Sequence, residues 1–322
     1  MNIKELKNSL KIPVIGAPLF IVSNPKLVIE QCKSGIVGSF PALNARPKEL
    51  LDDWLFEIKD TLSDFNKNNS NNKAAPFAIN QIVHKTNDRI EHDMELTVKH
   101  KVPVVITSLG ARPEVYDAVH SYGGMVFHDI INNFFAKKAI EKGADGLIAV
   151  AAGAGGHAGT LSPFALIQEI REWFDGPLAL SGSISTGQSV LSALAGGADF
   201  GYIGSPFIAT SEANADKDYK KAITKHYADD IVYTDLVTGV KGNYLKPSLA
   251  AAGFDPDNLP KSDPTKMDFS SLDGMDKKKA WKDIWGCGQG IGAIKKIEPC
   301  SNLVDRLEKE YNSAKNRLYE VA

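Results

Sequence analysis

A glycine-rich loop around a single histidine is the strongest indication of chemistry in this sequence. Residues 153–160 read GAGGHAGT and follow a short apolar run at 146–151. Because glycine has no Cβ, such a loop can adopt positive φ angles and bring its N–H groups close to a ligand. The side chain of His157 has an unperturbed pKa near neutrality and can transfer protons at physiological pH. We therefore predict that His157 is catalytic, against the alternative of a histidine held in a loop by hydrogen bonds.

Two later loops place glycine beside serine and are candidates for binding phosphate. They read SGSISTG at 181–187 and GSPF at 204–207. Each offers backbone N–H groups and a hydroxyl, and Ser185 or Thr186 could cap the following helix so that its positive end faces an anion. Either loop alone is typical of an ordinary tight turn, but together they favour a phosphate cradle. The candidate residues are Ser181, Gly182, Ser183, Gly204 and Ser205.

Three other predicted strand ends carry residues that could contact a ligand. GAPLF at 16–20 gives a compact backbone that can lie against a flat ring, although a plain turn before Pro18 explains it better without other evidence. The amide of Asn80 can bind the edge of a heterocycle or hold a neighbouring loop. His128 and Asp129 are adjacent and point to opposite faces of a strand, so only one faces the ligand, and either assignment is compatible with the sequence.

Alternating strands and helices must position these residues. Short β-rich runs alternate with segments of helical periodicity along the first two thirds of the chain. Eight such units favour a closed (β/α)8 barrel, or TIM barrel, in which the loops after the strands share one face. An open doubly wound sheet is the alternative, but no GxGxxG follows the first strand. The predicted strands are 13–17, 35–40, 76–80, 103–108, 125–128, 146–151, 177–180 and 200–203, and the predicted helices include 48–65, 90–100, 113–120, 134–142, 164–174 and 189–196.

The change in pattern after residue 210 predicts three parts. Residues 1–210 form the barrel. Residues 211–285 hold charged helical stretches and a Pro/Asp-rich connector without strand alternation, which predicts a helical cap, or substrate subdomain, inserted in the C-terminal third. Residues 286–322 begin with the glycine-rich turn GCGQGIG and end with an amphipathic helix at 303–319, predicted to return to the barrel.

Composition and charge argue against several classes of protein. The 322 residues are 43% hydrophobic and carry a formal net charge of -2, without a basic stripe that could follow a nucleic-acid backbone. No apolar run approaches the roughly 20 residues that span a bilayer, and the N-terminus does not resemble a secretory signal. Three widely spaced cysteines are typical of free thiols, and no motif predicts a metal site. We therefore expect a cytoplasmic protein without nucleic-acid, membrane or metal partners.

The motif set resembles the nitronate monooxygenase family, formerly called 2-nitropropane dioxygenases. GAPL, AIN at 78–80, GAGGHAGT, LSGSIS, YIGSPF and CGQGIG occur in this order and cover nearly the whole chain. The GGHxG element followed by SGS and GS is specific as a set, although related flavin-dependent enoyl reductases share much of it. The resemblance implies an FMN-binding (β/α)8 barrel with a helical substrate domain.

The resemblance also implies roles for individual residues. Ala17, Pro18 and Leu19 would lie against the isoalloxazine ring with Asn80 nearby, and Asp129 is a further candidate for the cofactor. Gly182, Ser183, Gly204 and Ser205 would hold the FMN phosphate. Gly155 and Gly156 would pass close to the flavin, and Gln289 and Gly290 would contact it from the C-terminal loop. His157 matches the family histidine proposed as a base or substrate-orienting group.

Two departures from the family pattern bear on the substrate. Leu19 stands where the family commonly has methionine, and Gly153 and Ala154 stand where a glutamate often precedes the GGH. Leucine is an apolar side chain of similar size, so packing of residue 19 against the flavin should be retained. The missing carboxylate could change the tautomer or pKa of His157. We therefore favour the anionic nitronate over the neutral nitroalkane as substrate.

The implied reaction oxidises an alkyl nitronate with dioxygen to a carbonyl compound and nitrite. One alternative is an NAD(P)H-dependent flavin reductase acting on a quinone or an enoyl thioester. Another, of a different class, is a flavin-free barrel that binds a phosphorylated metabolite. The sequence leaves the oligomeric state open, with a homodimer among the alternatives.

Overall fold

A closed barrel of parallel strands forms the body of the molecule. The computed structural model describes residues 1–237, 239–260 and 283–321. Eight strands form one sheet in the order β1-β9-β8-β6-β5-β4-β3-β2. The pairing of Ile15 with Val37 closes the barrel between β1 and β2, and the Gly16 N–H donates to the Val37 carbonyl at 2.8 Å. The predicted (β/α)8 barrel is therefore confirmed.

The eight predicted barrel strands lie within a few residues of those observed. The strands of the described residues are β1 (Val14–Gly16), β2 (Gly38–Pro41), β3 (Phe77–Ile82), β4 (Val104–Ser108), β5 (Met125–Ile130), β6 (Gly146–Val150), β7 (Gly156–His157), β8 (Leu178–Ser181), β9 (Phe200–Ile203), β10 (Ile231–Thr234) and β11 (Gly242–Leu245). The strands β7, β10 and β11 lie outside the barrel.

The helices follow the barrel strands and cover their outer faces. The described α-helices are α1 (Ile3–Asn8), α2 (Pro25–Lys33), α3 (Leu50–Asn68), α4 (Ile90–Lys99), α5 (Pro113–His120), α6 (Asn133–Glu141), α7 (Pro163–Arg171), α8 (Gly187–Ala195), α9 (Ser205–Ile208), α10 (Lys217–Ile223), α11 (Lys246–Ala251) and α12 (Cys300–Val321). None of the helices among these residues is long and apolar enough to span a bilayer.

Every second residue of a barrel strand points into the barrel interior. The rings of Phe127 and Phe200 meet edge to face there, with their centroids 6.2 Å apart. Leu6 of α1 is fully buried against the same interior cluster. The interior is therefore a packed core, as TIM barrels require, and a ligand can enter only above it, where the loops after the strands meet.

The segment predicted as a helical cap contains strands as well as helices. In its described residues β10 and β11 pair antiparallel, and β11 also pairs with β7 of the glycine-rich loop. The segment predicted as a helical cap therefore also holds a short antiparallel sheet, which was not predicted. The periodicity was missed because each strand has only four residues. Residues 261–282 of the predicted cap lie outside the described residues, and the boundaries of the three predicted parts stay a prediction.

The last helix packs against the barrel's own helices. Helix α12 lies against α8 and α2, the helices that flank the closing strands β9, β1 and β2. The N–H of Gly187, the first residue of α8, donates to the Glu310 carboxylate at 2.8 Å. Lys11 adds ion pairs to Asp305 and Glu308, both at 2.8 Å. Helix α12 therefore packs across the closing seam, the part of the barrel where β1 pairs with β9 on one side and with β2 on the other.

We expect Gly187→Ala to destabilise the protein, because α12 leaves no room for a side chain there. A Cβ on Gly187 would collide with the backbone of Leu307 and Tyr311. Overpacking against a backbone that cannot retreat should lower the free energy of unfolding by roughly 2–3 kcal/mol, measured by urea denaturation. Ser192→Ala, at an exposed position of the same helix, should change it by about 0.5 kcal/mol or less. Equal effects of the two substitutions would contradict this account.

Candidate active site

A large cavity lies over the end of the barrel where the strands finish. Its volume is about 1910 Å³. The cavity brings together nearly all the predicted site residues, although they come from seven separate segments of the chain. Those that line it are Ala17, Pro18, Leu19, Asn80, Asp129, Gly155, Gly156, His157, Ser181, Gly182, Ser183, Gly204, Ser205 and Gly290.

Gln289 is the one predicted residue that does not line the cavity. Its backbone N–H donates to the Gly153 carbonyl at 2.9 Å. A Cβ built on Gly153 would also lie 3.0 Å from Oε1 of Gln289, so the exposed Gln289 side chain lies beside the glycine-rich loop. Gln289 thus supports the loop, and its contact with the flavin stays a prediction.

Three polar side chains from neighbouring strands form a hydrogen-bonded row at the floor of the cavity. Nδ2 of Asn80 donates to Oγ of Ser108 at 2.8 Å, and that hydroxyl donates to Oδ2 of Asp129 at 2.6 Å. Oδ1 of Asp129 is buried without a partner among the described residues. Burial raises the pKa of Asp129 to about 7, although the Ser108 hydrogen bond opposes the shift.

The structure decides which of the two adjacent residues on β5 faces the ligand. Asp129 continues the inward series of Met125 and Phe127, whereas the His128 ring points outward. Nδ1 of His128 lies 2.6 Å from the Thr107 hydroxyl and 3.1 Å from that of Tyr116. Burial lowers the pKa of His128 to about 4, so the ring is a neutral part of the packing between the barrel and α5.

We expect Asp129→Asn to stabilise the flavin-free protein more at high pH than at low pH. Asp129 has a pKa near 7 in the folded protein, against about 3.9 when unfolded. The folded state therefore holds the proton more tightly, and stability is lost as the pH rises from about 4 through 7. The Tm difference between variant and wild type should be small at pH 4.5 and largest at pH 8. A Tm difference that stays constant across this pH range would contradict the explanation.

The glycine-rich loop is bound at its ends by the barrel and the C-terminal loop. The Gly159 N–H donates to the Val150 carbonyl at 3.0 Å. The carbonyl of Gly153 accepts from the N–H groups of Ser183 and Gln289 at 3.3 and 2.9 Å. Gly153 and Gly156 take the positive φ angles of +82° and +66° expected of such a loop. These contacts bring three loops together at one wall of the cavity.

His157 stands in this wall as a neutral imidazole. Burial lowers its pKa to about 4, because removal from water disfavours the charged ring. At neutral pH the ring can both donate and accept a hydrogen bond, and it carries no charge that would need a counter-ion. The arrangement suits hydrogen bonding to a polar ligand better than abstraction of a proton from a weak acid, which needs a base with a pKa near the working pH.

The two glycine-serine strand ends face the same cavity. Gly182 has φ +141° and Ser183 has φ +56°. The Ser205 hydroxyl accepts a hydrogen bond from the Gly288 N–H at 2.8 Å, which ties this strand end to the C-terminal loop. Both backbones therefore turn sharply beside the cavity with little side-chain bulk.

Thr186 caps helix α8, as predicted, by accepting from the Ser189 N–H at 3.1 Å. The Gly187 N–H donates to the Glu310 carboxylate of α12, which brings a negative charge to this helix end. That the positive end of α8 also faces a bound anion stays a prediction.

Side-chain hydrogen bonds that were not predicted hold the loop after β1. The side chain of Asn44 accepts from the Ile21 N–H at 2.9 Å and donates to the carbonyls of Leu19 and Ser23 at 2.9 and 2.8 Å. Ile21 has φ +66°, a strained value for a β-branched residue. Arg89 in turn holds the carbonyl of Ala45 at 2.8 Å. The only signal in the sequence was an asparagine shortly after a strand end.

Metal ligands do not cluster in the part of the chain that the structure describes. No group of three or more histidine, cysteine, aspartate or glutamate side chains there could hold a metal ion. Cys32, Cys287 and Cys300 are all buried and unbridged.

Comparisons with known proteins place the chain in a family and identify proteins of the same fold. The nitronate monooxygenase family model matches residues 7–310. A nitronate monooxygenase of Paraburkholderia phytofirmans is 26% identical, over 96% of this chain and 95% of the relative. FabK from Thermotoga maritima has a TM-score of 0.81 at 21% identity, covering 99% of this chain and 98% of its own. A nitroalkane oxidase of Streptomyces ansochromogenes has a TM-score of 0.80 at 22% identity, covering 98% and 99%.

The family match covers the barrel, the glycine-rich loop and much of α12. The two solved structures support the same barrel fold across nearly the whole chain. Together with the cavity built from the strand ends, these matches identify an oxidoreductase of a flavin-dependent group. The chain belongs to the nitronate monooxygenase family.

Proposed function

We propose that this protein binds FMN and oxidises alkyl nitronates with dioxygen to a carbonyl compound and nitrite. The observation that carries the proposal is the placement of a neutral His157 in the same cavity as the two glycine-serine strand ends. This placement puts a hydrogen-bonding group for the substrate beside backbone suited to an anionic cofactor. The similarity to a nitronate monooxygenase along the whole chain supports the same activity.

The residues around the cavity fit FMN on two counts. The buried Oδ1 of Asp129 has no partner among the described residues, so a polar group of the cofactor would satisfy it. The strand ends at Gly182–Ser183 and Gly204–Ser205 offer backbone with little side-chain bulk, which suits a phosphate group. Ala17, Pro18 and Leu19 supply an apolar surface for the ring.

The protein's part in the reaction is binding, orientation and exclusion of water. Bound FMN would accept electrons from the nitronate and pass them to dioxygen. Ser183 and Ser205 would hold the phosphate end, and Asn80 and Asp129 would contact polar atoms of the cofactor from the floor of the cavity. His157 donates a hydrogen bond to the nitro oxygens and fixes the substrate.

The protonation state of His157 favours the anionic nitronate over the neutral nitroalkane. A conjugate acid with a pKa of about 4 makes the imidazole too weak a base to remove a proton from carbon efficiently. No carboxylate replaces the glutamate that often precedes the GGH, because Gly153 and Ala154 occupy those positions. A neutral N–H donor still stabilises the charge on a nitronate. We therefore propose the nitronate as substrate.

The cavity volume supports one alternative enzyme. Pockets for small molecules usually measure about 300–1,000 Å³, so about 1910 Å³ leaves room for FMN and a second, larger molecule. Phe20, Trp54 and Phe135 give this extra space an apolar lining. An NAD(P)H-dependent reductase of a quinone or an enoyl thioester would use such space. A flavin-free barrel that binds a phosphorylated metabolite is the alternative from another class.

Three measurements on the purified protein separate these functions. A yellow protein that releases FMN on heating supports both flavin enzymes, whereas a colourless protein that cannot be reconstituted contradicts both. Nitronate-dependent oxygen uptake with formation of nitrite supports the monooxygenase. Rapid bleaching of the flavin by NADH or NADPH without oxygen would favour the reductase. Dimerisation and a cytoplasmic location stay predictions.

A further inference from the structure

The peptide that carries His157 belongs to the sheet of the cap and not to the barrel. Strand β7 consists of Gly156 and His157 alone, and both residues pair antiparallel with β11. The partner of His157 is Gly242, and the Ala158 N–H donates to the Lys241 carbonyl at 3.2 Å. A two-residue strand has no stability of its own. The conformation of the His157 peptide therefore depends on β11.

Two side chains of the cap hold the carbonyl groups on either side of this strand. Nδ2 of Asn243 donates to the Ala154 carbonyl at 2.7 Å, and this hydrogen bond is buried. The hydroxyl of Tyr233, on β10, donates to the Ala158 carbonyl at 2.7 Å. The loop is therefore gripped before and after His157, by residues that follow it by more than 70 positions in the chain.

Hydrogen bonds within the loop and to the barrel hold the two ends of the loop. The Ala152 N–H donates to the Leu161 carbonyl at 2.9 Å and joins the two ends, and the Gly159 N–H donates to the Val150 carbonyl of β6 at 3.0 Å. These bonds fix where the loop leaves and rejoins the barrel. Asn243 is the buried group that contacts the segment between these ends through both its backbone pairing with Gly156 and its side chain.

We propose that Asn243 is a positioning residue that acts through His157, so that the cap and not the barrel sets the place of the imidazole at the cavity wall. The amide reaches a carbonyl of the loop while the adjacent backbone forms the β7–β11 ladder, and the two contacts fix the loop in two directions. The inference rests on the proposed function only in assuming that His157 contacts the substrate. The place of the loop itself can be tested without any turnover.

The first test measures the loop directly. In Asn243→Ala, deuterium exchange of peptides covering residues 154–158 should be at least roughly tenfold faster than in the wild type, because a buried hydrogen bond is lost. Exchange in β3 to β5 of the barrel should not change. Ser248→Ala is the control, because it removes two other hydrogen bonds of the cap, to the Leu245 carbonyl and from the Trp285 N–H, at a side chain that does not contact the loop. Equal exchange of the loop in the two variants overturns the proposal.

The second test asks whether the effect passes through His157. Asn243→Ala should lower kcat for a nitronate roughly tenfold or more while the affinity for FMN stays that of the wild type. In a His157→Asn background the same substitution should have little further effect, because the group it positions is already gone. A full additional loss in the double variant overturns the proposal.

A second variant keeps the test valid if Asn243→Ala does not fold. Tyr233→Phe removes only the hydroxyl that binds Ala158 and keeps the ring, and it should loosen the same peptides to a smaller extent. If the exchange of these peptides does not change in Tyr233→Phe, the proposal that the cap positions the loop is contradicted. If the wild type oxidises no nitronate, the proposed function fails, while the exchange data still decide the place of the loop.

Discussion

His157→Asn is expected to lower kcat/KM for an alkyl nitronate by roughly 10²-fold or more while FMN remains bound. The substitution keeps a side chain of similar polarity but removes the imidazole N–H that orients the nitro oxygens. The FMN contacts that we propose come from the strand ends and the floor of the cavity, so the cofactor should not be lost. Steady-state oxygen uptake and the visible spectrum of the purified variant measure the two effects.

The control for this substitution is His226→Asn. His226 lies in the cap, contacts the Ala222 carbonyl at 2.9 Å and does not line the cavity. Its replacement should leave the kinetics at the wild-type level. Unchanged kinetics in His157→Asn would remove His157 from the mechanism. Loss of FMN together with activity would show that His157 holds the cofactor instead.

Gly182→Ala is expected to yield a folded protein that retains less than about a tenth of its flavin. Gly182 has φ +141°, a conformation that residues with a side chain rarely adopt. A Cβ there would lie 2.7 Å from the Ala152 carbonyl oxygen, a backbone atom that cannot turn aside. Strain and overpacking each cost about 1–3 kcal/mol, and about 1.4 kcal/mol is a tenfold change in affinity. The flavin-to-protein ratio from absorbance measures the result.

A second glycine separates backbone strain from the local collision. Gly123 also has a positive φ, +78°, but a Cβ there would meet no atom within 4 Å. Gly123 lies at the opposite end of the barrel, where its carbonyl accepts from the N-terminal amine at 2.9 Å. Gly123→Ala should therefore lower stability slightly and keep the full amount of flavin. Equal flavin loss in both variants would mean that the strand end at Gly182 does not bind the cofactor.

The barrel could be predicted from the sequence because its strands are short apolar runs between glycines and prolines. The runs at 103–108 and 146–151 coincide with β4 and β6 to within one residue. Helix α2 was missed, although Asn24 caps it and Pro25 occupies its first position, a typical start signal. The strands of the cap were missed because they are short and pair with distant segments. Gly156 and His157 form a strand only because β11 lies beside them.

Most residues of the site could be predicted from the sequence, but the contacts between them could not. Residues at strand ends face one cavity in any such barrel, which is why Asn80 and Gly204 were found. The inward position of Asp129 could not be decided from the sequence. Both faces of a parallel strand are buried, so the apolar pattern does not show which alternate residues point into the barrel. The grip of Asn243 on the loop could not be seen either, since no local signal joins residues 89 positions apart.

The position of α12 has a consequence for how the protein is made. This helix joins α2 and α8 across the closing seam, and the loop before it supplies the Gly288 N–H that binds Ser205. The N-terminus of a protein leaves the ribosome first. The first strands of the barrel therefore emerge some 280 residues before these contacts can form. The strands where the barrel closes therefore stay without the cover of α12 until this helix has been synthesised.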